Sequence, residues 1–171
     1  MRKKTAMVLL ILCLLLIPQS AAWGKGSVEE RILQELYKGK EISADLIDTP
    51  SKTLLSLELY QEMEGKVCTY EDAWMLTGKA EPDTQIHLIV YTVSETQTPI
   101  IWYMQEMRVG SSRLFQKEVP LRLLGTQYLM IAVQQQEEAA ACVYAMDRKG
   151  ETVRDQLLEY ELNLYEEYGL S

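Results

Sequence analysis

Apolar residues recur at every second position through much of the chain after residue 66. The clearest run is residues 85–93, where the apolar positions of one face are Ile86, Leu88 and Val90. This period of two predicts a strand with one face toward a core. Further strands are predicted at residues 67–70, 73–76, 100–107, 113–119, 128–134 and 140–146, with turn-forming residues between them. The pattern therefore predicts a mainly β protein, an antiparallel β-sandwich.

Two stretches have a helical period instead. Ser27 lies three residues before Glu30, the spacing of a capping box, and an apolar stripe follows as far as Gly39. This predicts a helix over residues 28–38. Near the C-terminus, apolar residues recur every three or four positions at Val153, Leu157, Tyr160, Leu164 and Tyr168. We predict a C-terminal helix within residues 147–171, with a final strand as the alternative.

Residues 53–64 carry two conflicting signals. Leu55, Leu57 and Leu59 alternate as in a strand, whereas the Leu- and Glu-rich composition and the following Gly65 favour a helix. We give the composition more weight than the alternation and predict a helix over residues 53–64. Residues 23–65 are accordingly predicted to form a helical N-terminal segment.

The N-terminus has the organisation of a secretory signal peptide. Three basic residues precede the apolar run from Ala6 to Ile17, and Ser20, Ala21 and Ala22 supply the small residues of a cleavage site. The alternative is an uncleaved membrane anchor. Twelve apolar residues would span only about 18 Å as a helix, whereas the hydrocarbon core is about 30 Å thick. We therefore predict that residues 1–22 are removed, that no stable membrane span remains, and that the protein is extracellular or in the cell envelope.

The charge of the chain excludes one class of partner. Without the three basic residues of the signal peptide, 14 basic residues stand against 25 acidic ones, a net charge near −11. A surface this acidic repels nucleic acid phosphates, so nucleic-acid binding is excluded.

Two cysteines remain after signal cleavage, Cys68 and Cys142. An even pair in an exported protein is typical of one disulfide. Two small buried side chains that never meet would explain them equally well.

Two motifs carry a resemblance to a known family. Residues 77–86, TGKAEPDTQI, resemble the G-x-A-E-P-G-T-x-I opening of bacterial immunoglobulin-like domains, and residues 119–133, VPLRLLGTQYLMIAV, are similar to their V-x-L-x-x-G-x-N-x-I-x-V strand pair. The match covers about residues 66–146 and departs from the motif at Asp83, where glycine is usual.

This resemblance implies an immunoglobulin-like sandwich and a role as an extracellular or wall-associated spacer or adhesive module. It also implies that the strands carrying Cys68 and Cys142 are neighbours, as a disulfide between them would require.

The chain offers little catalytic chemistry. His87 is the only histidine, and alternation along its strand predicts a surface position. No multi-histidine metal site, Ser-His-Asp triad, calcium loop or glycine-rich phosphate loop is present, so we predict no catalytic residues, no metal site and no cofactor. Trp102 is predicted to lie in the core. Tyr91 and Tyr103 are the candidate ligand-contact aromatics, able to stack on a sugar ring or a partner protein.

These observations favour a non-catalytic binding or structural module whose partner is a protein or a cell-wall carbohydrate. The alternative is a small secreted carbohydrate-active protein or hydrolase that uses paired carboxylates from the abundant Asp and Glu residues. A third hypothesis is an assembly interface made by the terminal helices, which a long exposed Leu/Tyr stripe would indicate.

Signal cleavage can be tested by the intact mass of the protein exported by its native host. We expect a mass that begins at Trp23, because the small residues before it match a signal-peptidase site. A mass that retains residues 1–22 would contradict the cleaved signal and indicate a membrane-tethered protein.

Overall fold

The computed structural model describes residues 27–38, 40, 43–47, 53–61, 63 and 66–168. The predicted signal peptide lies outside the described residues. Among the described residues, no helix combines the length and the apolar character that crossing a bilayer requires.

Over the residues just given, two helices flank ten strands, and the fold is mainly β, as the sequence predicted. Helix α1 spans Val28–Leu36 and helix α2 spans Glu151–Tyr168. In chain order, the strands are β1 (Ser43–Ile47), β2 (Thr53–Leu54), β3 (Leu57–Leu59), β4 (Lys66–Thr69), β5 (Ala73–Lys79), β6 (Gln85–Val93), β7 (Pro99–Arg108), β8 (Leu114–Pro120), β9 (Gly125–Gln135) and β10 (Glu138–Arg148).

The strands form two sheets that pack as a sandwich. The six-stranded sheet has the order β1-β10-β9-β6-β7, and β4 also pairs with β10. The four-stranded sheet has the order β2-β3-β5-β8. Strands β1 and β4 run parallel to β10 and share one of its edges: Ser43 lies opposite Glu138 and Lys66 lies opposite Ala145. The remaining strand pairs are antiparallel.

The capping box at the start of α1 forms as predicted. The Glu30 amide donates to Ser27 Oγ at 3.2 Å, and the Ser27 amide donates to Glu30 Oε2 at 2.9 Å. These bonds satisfy two of the amides that a helix start leaves free. The apolar stripe of α1 then buries Val28, Ile32 and Leu33.

The central strands of the six-stranded sheet are buried on both faces. Toward the four-stranded sheet, β6 contributes Ile86, Leu88 and Val90, which are all 0% exposed. On the opposite face, α1 covers a second apolar cluster drawn from three strands: Ile89, Tyr91, Met130, Ala132, Ala139 and Ala141. The molecule therefore has three layers, α1, the six-stranded sheet and the four-stranded sheet.

The helix predicted over residues 53–64 is wrong. Strands β2 and β3 form a hairpin there, and β3 pairs with β5. The leucines at positions 54, 57 and 59 are 1–2% exposed in the core between the sheets. Burial of this alternating face outweighs the weak helical preference of the composition. In the described part of residues 23–65, α1 is thus followed by three strands that complete both sheets.

The turn before β6 explains the departure from the immunoglobulin-like motif at Asp83. Asp83 has φ +67°, a left-handed backbone conformation that glycine adopts freely. Aspartate is among the few other residues that tolerate this conformation. The Asp83 amide donates to the carbonyl oxygen of Val109 at 2.9 Å, which fixes the turn. The backbone thus has the shape that the usual glycine would allow.

Gly78 lies where β5 is paired on both edges. A Cβ at this position would come within 2.5 Å of the Glu58 carbonyl oxygen and 2.6 Å of Phe115 Cε1. Both distances are shorter than packed carbon atoms allow, and the carbonyl oxygen belongs to a paired strand.

We expect Gly78→Ala to lower the free energy of unfolding by about 1–3 kcal/mol, because the methyl group overpacks this junction. Urea unfolding measures the change. Gly110→Ala is the matched control, because no atom lies within 4 Å of its built Cβ, and it should change stability by less than about 0.5 kcal/mol. Equal effects of the two substitutions would contradict the steric explanation.

Candidate functional site

Tyr91 was predicted to contact a ligand, and this prediction is wrong. Tyr91 is 0% exposed because α1 lies over its strand. Its hydroxyl donates to Glu29 Oε1 at 2.7 Å, and its ring stacks on Tyr128 with centroids 5.4 Å apart. Burial, reinforced by the bond to Glu29, raises the pKa of Tyr91 above its ordinary value. Tyr91 therefore links α1 to the six-stranded sheet through its hydrogen bond with Glu29.

Tyr103 is half-buried and packs against the core between the sheets. Its hydroxyl donates to Gln105 Oε1 at 3.0 Å, and burial raises its pKa. Trp74 and Trp102 also pack against this core, in agreement with the core position predicted for Trp102. Ligand contact by Tyr103 stays a prediction.

The disulfide predicted between Cys68 and Cys142 is not formed. Their strands are neighbours as expected, but the register places Cys68 opposite Asp147, five residues beyond Cys142 on β10. Five residues of strand span about 16 Å, whereas bridged Cα atoms lie within about 7 Å. The alternative of two small buried side chains that never meet is therefore correct for their separation and for the burial of Cys142, but wrong for Cys68, which is exposed.

A cluster of charges joins β4 to the end of β10. Asp147 Oδ2 lies 2.7 Å from Lys149 Nζ and 2.8 Å from Lys66 Nζ, and the aspartate side chain is only 6% exposed. Hydrogen bonds from Lys149 and then Lys66 hold the pKa of Asp147 below its ordinary value. The ion pair of Lys66 with Asp147 lies between the paired strands β4 and β10, so strand pairing explains why these charges meet.

His87 was predicted to lie on the surface, and this prediction is also wrong. It is 4% exposed, and its ring stands perpendicular to that of Tyr37 with centroids 5.9 Å apart. Among the described residues, no group bonds to its buried Nε2 atom. Burial lowers the pKa of His87, and Lys40 lowers it further, whereas Glu106 raises it. The imidazole is therefore a neutral part of the layer beneath α1.

An open cleft lies between α1 and β1, with a volume of about 500 Å³. Helix α1 supplies one wall, and three successive residues of β1 supply the other. The described lining residues are Glu30, Leu33, Gln34, Tyr37, Ala44, Asp45 and Leu46. The volume falls within the range of about 300–1,000 Å³ that is typical of small-molecule sites.

The cleft combines an apolar wall with oxygen atoms. Tyr37 is 5% exposed, and no described residue bonds to its buried hydroxyl. Burial raises the pKa of Tyr37 to about 12, so the hydroxyl stays protonated near neutral pH and can donate or accept a hydrogen bond. Asp45 presents a carboxylate, whereas the Glu30 carboxylate already accepts the Ser27 amide. No basic residue is among the described lining residues. Lys40 Nζ lies 5.9 Å from the centroid of the Tyr37 ring, so the Asp45 carboxylate is the lining group that a cation from outside could meet.

Sequence reasoning missed the cleft because it assigned the residues that form β1 to the helical N-terminal segment, residues 23–65. Alternation of Ala44 and Leu46 was an available signal, but five residues are too few for periodicity to distinguish a strand from a loop. Tyr37 was likewise assigned only to a helix. In the part of the chain that the structure describes, no three His, Cys, Asp or Glu side chains group as a metal site would require.

The environment of His87 predicts a specific pH dependence. Its pKa in the folded protein lies below the ordinary value of 6.5, so the unfolded chain binds the proton more readily. Stability should therefore fall as the pH drops from about 6.5 toward the folded pKa.

Because the chain has one histidine, a single Hε1 resonance followed by NMR reports this group alone. We expect a titration midpoint below 6.5 in the folded protein and near 6.5 in urea. A folded midpoint at or above the unfolded one would contradict the buried, neutral assignment.

Comparisons with known proteins are sparse. No protein-family model matches the chain, and no curated protein matches it. Among solved structures, a similar one is the sulfur carrier protein SoxY from Chlorobium limicola f thiosulfatophilum. The similarity covers 71% of this chain and 96% of that chain, with 8% sequence identity and a TM-score of 0.39. Similarity at this level supports no argument about function.

Proposed function

We propose that the protein is an exported or cell-envelope-associated, non-catalytic binding module with an immunoglobulin-like sandwich, and that it holds a small cationic ligand in the cleft between α1 and β1. The observation that carries the proposal is Tyr37, which lines the cleft and whose buried hydroxyl has no partner among the described residues. A buried polar group without a partner costs about 1–3 kcal/mol, and a bound ligand would remove that cost.

The lining chemistry narrows the ligand to a primary amine on a short aliphatic body, such as a lysine side chain or a diamine. Leu33 and Leu46 offer apolar contact to the carbon chain, and the Asp45 carboxylate offers a counter-charge to the ammonium group. An ammonium group donates hydrogen bonds and accepts none, which matches the oxygen atoms of the cleft. An amine carried by a protein or a cell-wall polymer would present the same group.

The non-catalytic part of the proposal is supported by the structural roles of the reactive side chains. His87 is enclosed beneath α1, and Glu29 accepts the hydrogen bond of Tyr91. The carboxylate of Glu30 completes the helix cap. The bond of Glu29 joins α1 to the sheet and the bond of Glu30 stabilises the start of the helix, so both carboxylates have structural roles.

The immunoglobulin-like part is supported by the two-sheet arrangement and by the glycine-like backbone of Asp83 in the matching turn. The structure has two features that the immunoglobulin-like motif does not include. They are the parallel pairing of β1 and β4 on the edge of β10, and the helix α1 that covers the sheet. The cleft lies within these additions, so its ligand would be particular to this chain.

The hydrolase hypothesis has one observation in its favour, because Glu30 and Asp45 line the same cleft. Paired carboxylates of this kind hydrolyse glycosides when they flank the scissile bond. Hydrolysis of chromogenic aryl glycosides that disappears in both Glu30→Gln and Asp45→Asn would favour this alternative over simple binding.

Amine binding can be measured by NMR titration of amide resonances with cadaverine, with 1-pentanol as the neutral probe. We expect cadaverine to shift the amides of α1 and β1 and 1-pentanol to shift them far less. Tyr37→Phe should weaken binding by about two- to tenfold through the lost hydrogen bond, and Asp45→Asn by about two- to fivefold through the lost charge.

The matched control is Asp155→Asn on α2, which removes the same charge outside the cleft lining and should leave the affinity unchanged. Equal binding of cadaverine and 1-pentanol, or equal effects of Asp45→Asn and Asp155→Asn, would contradict the proposal.

A further inference from the structure

The first half of helix α2, residues 151–159, is exposed to solvent in the part of the chain that the structure describes. The helix follows β10 directly and has 18 residues, which gives a length of about 27 Å. Neither apolar core among the described residues includes a residue of this helix. Residues 151–159 are all exposed, and they include Val153 at 41%, Leu157 at 54% and Leu158 at 49% exposed.

An isolated helix of this length is only marginally stable in water, because most helical stability in proteins comes from packing of an apolar face. The C-terminal half of α2 adds five more apolar residues in sequence: Tyr160, Leu162, Leu164, Tyr165 and Tyr168. Helix α2 therefore carries the composition of a packed helix, whereas its residues 151–159 are exposed.

The apolar surface continues onto the sandwich at the base of the helix. A Cβ built on Gly150 would lie 3.9 Å from Leu124 Cδ1, so the loop between β8 and β9 adjoins the start of α2. Leu123 and Leu124 are 44% and 66% exposed. A partner that covers the first turns of α2 could also cover these two leucines.

The charge of α2 identifies the chemistry of that partner. The helix has six acidic residues and one arginine, a net charge of −5. Its last turn contains Glu166 and Glu167 and no basic residue, so like charges meet the negative end of the helix dipole. Basic side chains of a partner would offset the negative net charge of the helix and would stabilise its C-terminal end. A second copy would bring another helix of charge −5, and an anionic lipid surface would repel it in the same way.

We infer that α2 is a docking helix, which a different protein accepts in an apolar groove rimmed by lysine and arginine side chains. The leucines of the helix fill the groove, and the basic rim pairs with its carboxylates. The rim also sets the direction of the helix, because basic groups are needed most at its C-terminal end. This site is separate from the cleft between α1 and β1 and does not depend on the amine-binding proposal.

The test begins with the full exported chain in its native host. A photo-reactive benzoylphenylalanine at position 157 cross-links whatever covers the helix, and mass spectrometry identifies the product. We expect a different protein, cross-linked within an apolar groove bordered by basic residues. Cross-linking chiefly to a second copy, to lipid or to nothing would overturn the inference.

The purified pair then tests the chemistry. The double variant Leu157→Glu and Leu158→Glu should weaken binding by at least about tenfold, as expected for apolar anchors. Gln156→Glu is the matched control: it adds charge on the same helix without removing an apolar side chain, and because the proposed rim is basic, the affinity should stay the same or rise by no more than about two- to fivefold. Circular dichroism should show the sandwich intact in both, because α2 lies outside the core.

The dependence of the binding affinity on ionic strength distinguishes a groove with a basic rim from a purely apolar groove. Binding should weaken by about tenfold or more between low salt and a few hundred millimolar NaCl, since exposed charge pairs are screened over these distances. An affinity that does not change with salt, or a control variant as damaging as the double variant, would overturn the basic-groove assignment.

Discussion

The six-stranded sheet has no solvent-facing side at β6, and this double burial constrains the rest of the structure. One face of β6 meets the four-stranded sheet and the other meets α1. Burying a side chain such as Ile32 or Leu33 contributes about 1.5–3 kcal/mol, an upper estimate because unfolded chains are partly compact. Removing α1 would expose a continuous apolar surface over three strands. The hydrogen bond from Tyr91 to Glu29 then fixes where the helix sits.

The same helix forms one wall of the cleft, so the stability of the fold and the geometry of the site are linked. Tyr37 contacts His87 on the sheet and lines the cleft with the rest of its turn. A ligand in the cleft would hold α1 against β1 and stabilise the folded state by mass action. A substitution that loosens α1 would weaken binding without touching a ligand atom. Stability therefore has to be measured beside affinity at this site.

Much of the fold was predictable because its strands and helices follow simple periodicities. Strand β6 was predicted with its observed bounds, and the capping box of α1 formed at Ser27 and Glu30. The prediction for residues 53–64 was wrong because a hairpin of two and three residues carries too little periodicity to outweigh composition. His87 and Tyr91 were placed outside because alternation assigns faces of a strand but does not reveal a helix that covers the second face.

The cysteine pair shows a different limit. The neighbouring strands were predicted correctly, but a disulfide depends on register, and register is set by contacts along the whole sheet. In sequence, nothing distinguishes a partner at Cys142 from one five residues later at Asp147. The cleft could not be predicted from the sequence for a related reason. Strand β1 and helix α1 become neighbours only because β1 pairs with β10 and α1 packs over β10. Local patterns identify elements, whereas sites of this kind arise from pairings between distant segments.

The parallel pairing of β1 and β4 with β10 has a consequence for the order in which the chain can fold. Ser43 and Lys66 find their partners only at Glu138 and Ala145, near the far end of the sequence. A chain that emerges from its N-terminus would hold both segments unpaired until almost all of it is available. Contacts this distant in sequence slow folding, because the intervening loop must close before they form. Completion of the sheet edge is thus a late step, and the wall of the cleft that β1 provides is assembled with it.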